Sequence, residues 1–199
     1  MKEEFKLKII SIFTALYLVI FAITTFLDKN YEFLYYIIIM GIFIAIVVCY
    51  HKKFHLTLHI IVGLSILGFM HIAGGVFYPF GTRLYDVYLI KNIFRYDNLM
   101  HSFGIFIATF VGYNMLRPHL NKKLKNNIFL LSLILILIAL GIGAVNEVLE
   151  FGAVVFLGAA KDVGDYFNNA LDLFFNLIGS IIASLFIVHY HKKGIGSSK

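Results

Sequence analysis

The sequence predicts an all-α fold, a polytopic integral membrane bundle of about six transmembrane helices with both termini in the cytoplasm. Composition is the first reason: of 199 residues, 60% are hydrophobic and 14% charged, against roughly a quarter charged in a soluble domain. Run length is the second. The apolar stretches are long enough for helices to cross a ~30 Å hydrocarbon core, and they lack the alternation that marks the strands of a membrane β-barrel. The third reason is where the basic residues fall, which becomes clear once the spans are laid out.

The chain reads as a single transmembrane domain over residues 1–199, with spans at roughly 7–27, 31–50, 54–74, 97–117, 127–156 and 169–190. The first run has no small-x-small cleavage signal after it, so it is a helix rather than a signal peptide. Six spans gather Lys2, Lys6, Lys8, Lys52, Lys53, Arg117, Lys122, Lys123, Lys125, Lys192, Lys193 and Lys199 on one side of the membrane. The other side receives Lys29, Arg83, Lys91, Arg95 and Lys161. By the positive-inside rule the richer side is cytoplasmic. The formal charge of +6 is therefore a topology signal that points to membrane lipids and to no nucleic-acid partner. Cys49 is the only cysteine, so no intrachain disulfide forms, and the sequence leaves oligomeric state open.

Against this apolar background the polar residues stand out. In "LIALGIGAVNEVLEFGAVVFLG", residues 137–158, Asn146, Glu147 and Glu150 interrupt a spanning segment. An ionised carboxylate at the bilayer centre costs at least ~2.5 kcal/mol, which makes such residues functional candidates that need partners. Counting at 1.5 Å per residue from the basic cytoplasmic ends puts His71 about 27 Å, His101 about 24 Å, Glu147 about 30 Å and Asp172 about 28 Å across. Four helices thus bring acid or imidazole groups to one level near the outer boundary. Asp97 and His101, at i and i+4, share a helix face, as do Glu147 and Glu150 at i and i+3. Asp165, Asn169, Asp172, Asn176, Gly179 and Ala183 advance by steps of four and three, a polar stripe that becomes small and lets helices approach. Phe167, Phe174 and Phe175 lie off it.

Imidazole and carboxylates in this mixture suit a divalent metal: zinc, manganese, iron or magnesium. The reading takes His71, His101, Asp165 and Asp172 as metal ligands, and Glu147, Glu150 and Asp97 as the catalytic carboxylates. A bound metal would make a nucleophile of water and leave a carboxylate free as general base. No serine or cysteine nucleophile competes for that role, since Ser102 lies about 100° around the helix from His101. The other reading is a metal-free network in which histidines and Arg95 neutralise the acids. Between spans three and four, the outer loop 75–96 carries Phe77, Tyr78, Phe80, Tyr85, Tyr88 and Phe94 beside Arg83, Lys91 and Arg95. Aromatics of this kind belong at the headgroup level. Residues 84–94 are expected to form an interfacial helix, with Arg83, Lys91, Arg95 and Tyr78 holding an anionic headgroup; the plainer reading is an anchoring segment.

A second polar set lies on the cytoplasmic side. His51, His55 and His59 fall at i, i+4 and i+8, with His189 and His191 ending the last span. The HH pairs of membrane di-iron enzymes are missing, so interfacial histidines are the better expectation there.

In the order "HIAGGVFYPF", "RYDNLMHSFG", "NEVLEFG" and "DVGDYFNNALDLFFNLIG" the chain resembles the YjdF-like family of uncharacterised bacterial and archaeal inner-membrane proteins, over roughly residues 60–185. The matching positions are His71, Gly74, Gly75, Asp97, His101, Glu147, Glu150, Asp165, Asp172 and Gly179. Asn98 and Phe151 depart from that pattern, standing where a basic residue and tryptophan are frequent. More distantly the chain is similar to VanZ-like membrane proteins, through Asp97, His101, Glu147 or Glu150, Asp172, Asn176 and Gly179. The resemblance implies a shared architecture and supplies no reaction. Three function classes follow from the residues: a metal-dependent hydrolase or transferase acting on a lipid headgroup or lipid-linked phosphate, a proton- or cation-coupled transporter, and a scaffold whose polar cluster locks helix packing. Transport requires polar groups through the whole membrane, and in spans four and five the polar residues mostly stop at one level.

Overall fold

A computed structural model describes residues 3–196. Lys2 and Lys199, counted above for topology, lie outside the described residues, as do the side chains of Phe80, Lys161, His191, Lys192 and Lys193. Eight α-helices follow in order: α1 (Glu3–Leu27), α2 (Tyr31–Tyr50), α3 (Leu58–Val76), α4 (Tyr96–Leu116), α5 (Lys122–Asn126), α6 (Ile128–Leu157), α7 (Ala160–Val163) and α8 (Tyr166–Gly196). Six of them, α1, α2, α3, α4, α6 and α8, are long and apolar enough to cross a membrane. Their exposed faces carry large apolar side chains such as Leu16, Ile38, Phe129, Phe156 and Leu185. Lipid is the solvent those faces suit.

Local chemistry sets the helix ends. Asn30 opens α2 by accepting from the Phe33 amide at 3.1 Å, and Asn127 opens α6 by accepting from the Leu130 amide at 3.1 Å. Each satisfies a donor that the first turn leaves unpaired. Gly158, at φ +71°, closes α6 in the left-handed conformation that glycine adopts freely. The six spans match the expected ones within a few residues at most ends. The third starts later than 54 because His55 turns at φ +53°. That turn also removes the expected histidine stripe: His51 follows α2, His55 lies in the connection and His59 belongs to α3, so they share no helix face.

The spans pack as two groups of three. In the first, α1, α2 and α3 enclose Tyr17, Phe21, Ile37, Ile72 and Ala73. In the second, α4 packs most extensively on α8, and α6 lies against both. Its end near the α4–α6 connection is filled by Leu120, Leu131, Leu135 and Ile187. The groups join where α3 meets α4 and α2 meets α6. At the first seam the Tyr96 hydroxyl donates to the Met70 carbonyl at 2.8 Å.

The outer loop corrects one expectation. Residues 84–94 are not a helix: Leu84–Asp86 is a single 3₁₀ turn, and β1 (Tyr88–Ile90) pairs antiparallel with β2 (Phe94–Arg95), Tyr88 opposite Arg95 and Ile90 opposite Phe94. Asn92 turns the hairpin at φ +57°, a conformation asparagine tolerates and a helix interior excludes. The flanking β-branched and aromatic residues favour strand.

Candidate functional site

The site forms where the outer ends of α4 and α8 meet the middle of α6. Asn98 fixes the first turn of α4 by accepting from the Arg95 amide at 2.9 Å, which directs Asp97 and His101 along one face. Two glycines bring the helices close enough. A Cβ at Gly179 of α8 would overlap the Ser102 carbonyl oxygen of α4, and one at Gly143 of α6 would stand 2.7 Å from the Asn176 amide nitrogen. Small residues permit this backbone approach where bulkier ones would hold the helices apart.

His101 is the centre of what results, its side chain 9% exposed. Its Nε2 lies 3.6 Å from Asp97 Oδ1 and 3.5 Å from Asp172 Oδ1; its Nδ1 lies 3.9 Å from Glu147 Oε1 and 3.3 Å from Asn176 Oδ1. Among the described residues two triads place one donor atom from each member within 4.8 Å of the others: Asp97, His101 and Asp172, and His101, Glu147 and Glu150. Asp172 is wholly buried, and its Oδ1 has no hydrogen-bond partner. Both carboxylate oxygens of Glu147 and the Asn176 amide nitrogen are likewise buried without one. Around this centre the acids are held in place. Asn146 donates to Glu150 at 2.7 Å, and Asn168 donates to Asp172 Oδ2 at 2.8 Å. Arg95 pairs with Asp97 at 3.8 Å and donates to Asn168.

Five of the residues expected at the site come together here: Asp97, His101, Glu147, Glu150 and Asp172. Arg95 adjoins them. The others go elsewhere. His71 belongs to neither triad; its Nδ1 shares a 2.5 Å hydrogen bond with the Tyr85 hydroxyl, beside the rings of Phe33 and Tyr36. Burial raises the Tyr85 phenol well above its usual range. Asp165 is exposed and accepts from the Asn168 amide at 3.0 Å, capping the start of α8. Arg83 reaches Glu32 at 3.8 Å and Asp86 at 3.1 Å, and with the exposed Tyr78 lines a separate cavity of about 470 Å³. Lys91 is exposed at the tip of the hairpin.

Asn168 is the site residue that sequence reasoning passed over. It lies three residues after Asp165 and four before Asp172, so helical spacing placed it on the polar face together with Asn169. Tyr85 was legible only as an interfacial aromatic, because its partner His71 lies in another element.

A family model described as a predicted membrane protein (DUF2238) matches residues 8–193. The chain belongs to that family. The match is consistent with the YjdF-like resemblance and with a multi-pass membrane protein; it does not show the VanZ-like similarity. No curated protein and no solved structure matches the chain. The buried His, Asp and Glu group is the candidate functional site of this DUF2238 member.

Proposed function

We propose that this protein is a metal-dependent hydrolase or transferase acting at the outer face of the membrane on a lipid headgroup or lipid-linked phosphate. One observation carries the reading: Asp172 Oδ1, fully buried and without a hydrogen-bond partner, stands 3.5 Å from His101 Nε2, with Asp97 Oδ1 at 3.6 Å. These separations are long for hydrogen bonds. They fit two oxygens and a nitrogen sharing one cation, since ligands about 2.1 Å from a tetrahedral ion stand about 3.4 Å apart. Zinc, manganese, iron and magnesium all accept this donor set.

The divalent ion would supply positive charge and a more acidic water. Glu147, with two unpartnered oxygens beside His101, takes a proton from water as the water oxygen bonds to phosphorus. The bond from phosphorus to the leaving oxygen breaks. That oxygen then recovers a proton from the Glu147 carboxyl. Glu150, restrained by Asn146, keeps the second carboxylate in place, and Asn168 orients Asp172.

The test is elemental analysis of protein purified in mild detergent without chelator, beside folded His101→Ala and Asp172→Asn variants. Stoichiometric metal in the parent, absent from both variants, is expected. A folded parent that stays metal-free after incubation with zinc, manganese, iron and magnesium overturns the reading. One observation favours cation-coupled transport instead: below Asp172, α8 buries Asn176, Ser180 and Ser184 at steps of four, and Ser184 Oγ has no hydrogen-bond partner. Cation uptake by reconstituted vesicles, abolished by Ser184→Ala, would favour that alternative.

A further inference from the structure

A second feature lies directly outside the triads. Between the β1–β2 hairpin and the first turns of α8 is a cavity of about 300 Å³. Its inner wall is polar, formed by Arg95, Asn98 and Asn168, and its mouth carries Tyr88, Ile93 and Phe167. We propose that this cavity binds the phosphate of a membrane phospholipid that reaches it sideways from the outer leaflet. The inference rests on the proposed function and names the substrate class of that site.

Three observations support it. The first is an unused donor: Asn98 is 1% exposed, its oxygen is taken by the Arg95 amide, and its Nδ2 has no hydrogen-bond partner. A buried amide nitrogen without a partner is unfavourable, and a phosphate oxygen beside the Arg95 guanidinium would supply the missing acceptor. Guanidinium and amide together make a charge-assisted cradle for such an oxygen. The second is the rim. Ile93 is 73% exposed, Phe167 69% and Tyr88 52%, a grouping suited to the headgroup and acyl boundary rather than to water. A lipid can bring its headgroup past these side chains while its tails stay against them. The volume agrees, being at the lower limit of ligand pockets, room for a headgroup and not for acyl chains.

The third is continuity with the triads. Arg95 reaches Asp97 at 3.8 Å and Asn168 reaches Asp172 at 2.8 Å. Phosphate held on Arg95 would therefore stand one side chain away from the cluster around His101. The acidic neighbour at the mouth is Asp165, whose Oδ1 is engaged by the Asn168 amide.

The probes are phosphatidylglycerol, diacylglycerol with the same tails and no phosphate, and glycerol phosphate with no tails. Each is titrated into the full chain in detergent and bound ligand is counted by native mass spectrometry, with metal content measured on the same samples. Phosphatidylglycerol is expected to bind one per chain, and the other two much more weakly. Arg95→Gln should weaken that binding about tenfold or more. Ile93→Glu, on the exposed hairpin, should weaken it too by setting a carboxylate at the mouth, and it carries the test if Arg95→Gln fails to fold. Equal binding of glycerol phosphate would identify a water-borne ester and overturn lateral access. Equal binding of diacylglycerol, or parent-like affinity in folded Arg95→Gln or in Ile93→Glu, would overturn the site. Lipid bound through Arg95 by a metal-free parent would instead sink the metal reading and leave this one standing.

Discussion

His101 and Asp172 illustrate how much of this protein depends on two side chains from different helices. Without a cation, Asp172 is a buried acid with one oxygen unpartnered, an arrangement that destabilises the folded state. Divalent metal should therefore raise the melting temperature of the parent and leave Asp172→Asn unmoved, because ligand binding to the native state stabilises by mass action, about 2.7 kcal/mol at a hundred times the dissociation constant. Thermal melts with and without manganese or zinc check this, and equal shifts in both proteins would remove Asp172 from the site. Tyr85 acts on a different histidine. Tyr85→Phe should cost about 1 kcal/mol through the lost bond to His71, with metal content unchanged; loss of metal would show that His71 belongs to the centre after all.

At the scale of elements, α4 and α8 carry the site only because they touch. Gly179→Ala would press a methyl group into the Ser102 carbonyl. Overpacking of this kind costs about 1–3 kcal/mol, and it should also lower metal affinity by moving Asp97 and His101 away from Asp172. Asp165→Ala makes the contrast. It removes the cap at the start of α8 and should cost about 1 kcal/mol with metal binding intact, read by melting temperature and elemental analysis together. The hairpin shows where element-level reading fails. The aromatic and basic residues of 84–94 suit an interfacial helix and a hairpin equally in composition. What separates them is the positive φ at Asn92 and the pairing of Tyr88 with Arg95, and neither is periodic in sequence.

At the scale of the molecule, an even number of spans returns the chain to its starting side, and the basic bias makes that side cytoplasmic. Cys49 is exposed near the end of α2 and is the only cysteine, so it reports topology directly. A membrane-impermeant thiol reagent should label it in inside-out vesicles and not in right-side-out ones. Lys91→Cys in a Cys49→Ser background should give the opposite result, and agreement between the two positions would mean that an even number of spans lies between them.

The class and the six spans were legible in the sequence, and so was the expected depth of each polar residue. Depth follows from counting, because a helix advances by a constant rise from a basic end anchored at the membrane surface. That count was enough to bring Asp97, His101, Glu147, Glu150 and Asp172 to one level. Only the tertiary structure decided which of the residues at that level meet. Depth says nothing about rotation around a helix axis or about which helices are neighbours, and those are set by the close approaches at Gly179 and Gly143. For this reason His71, at the same depth, turns to Tyr85, whereas Asn168, which no motif singled out, joins Arg95 to Asp172.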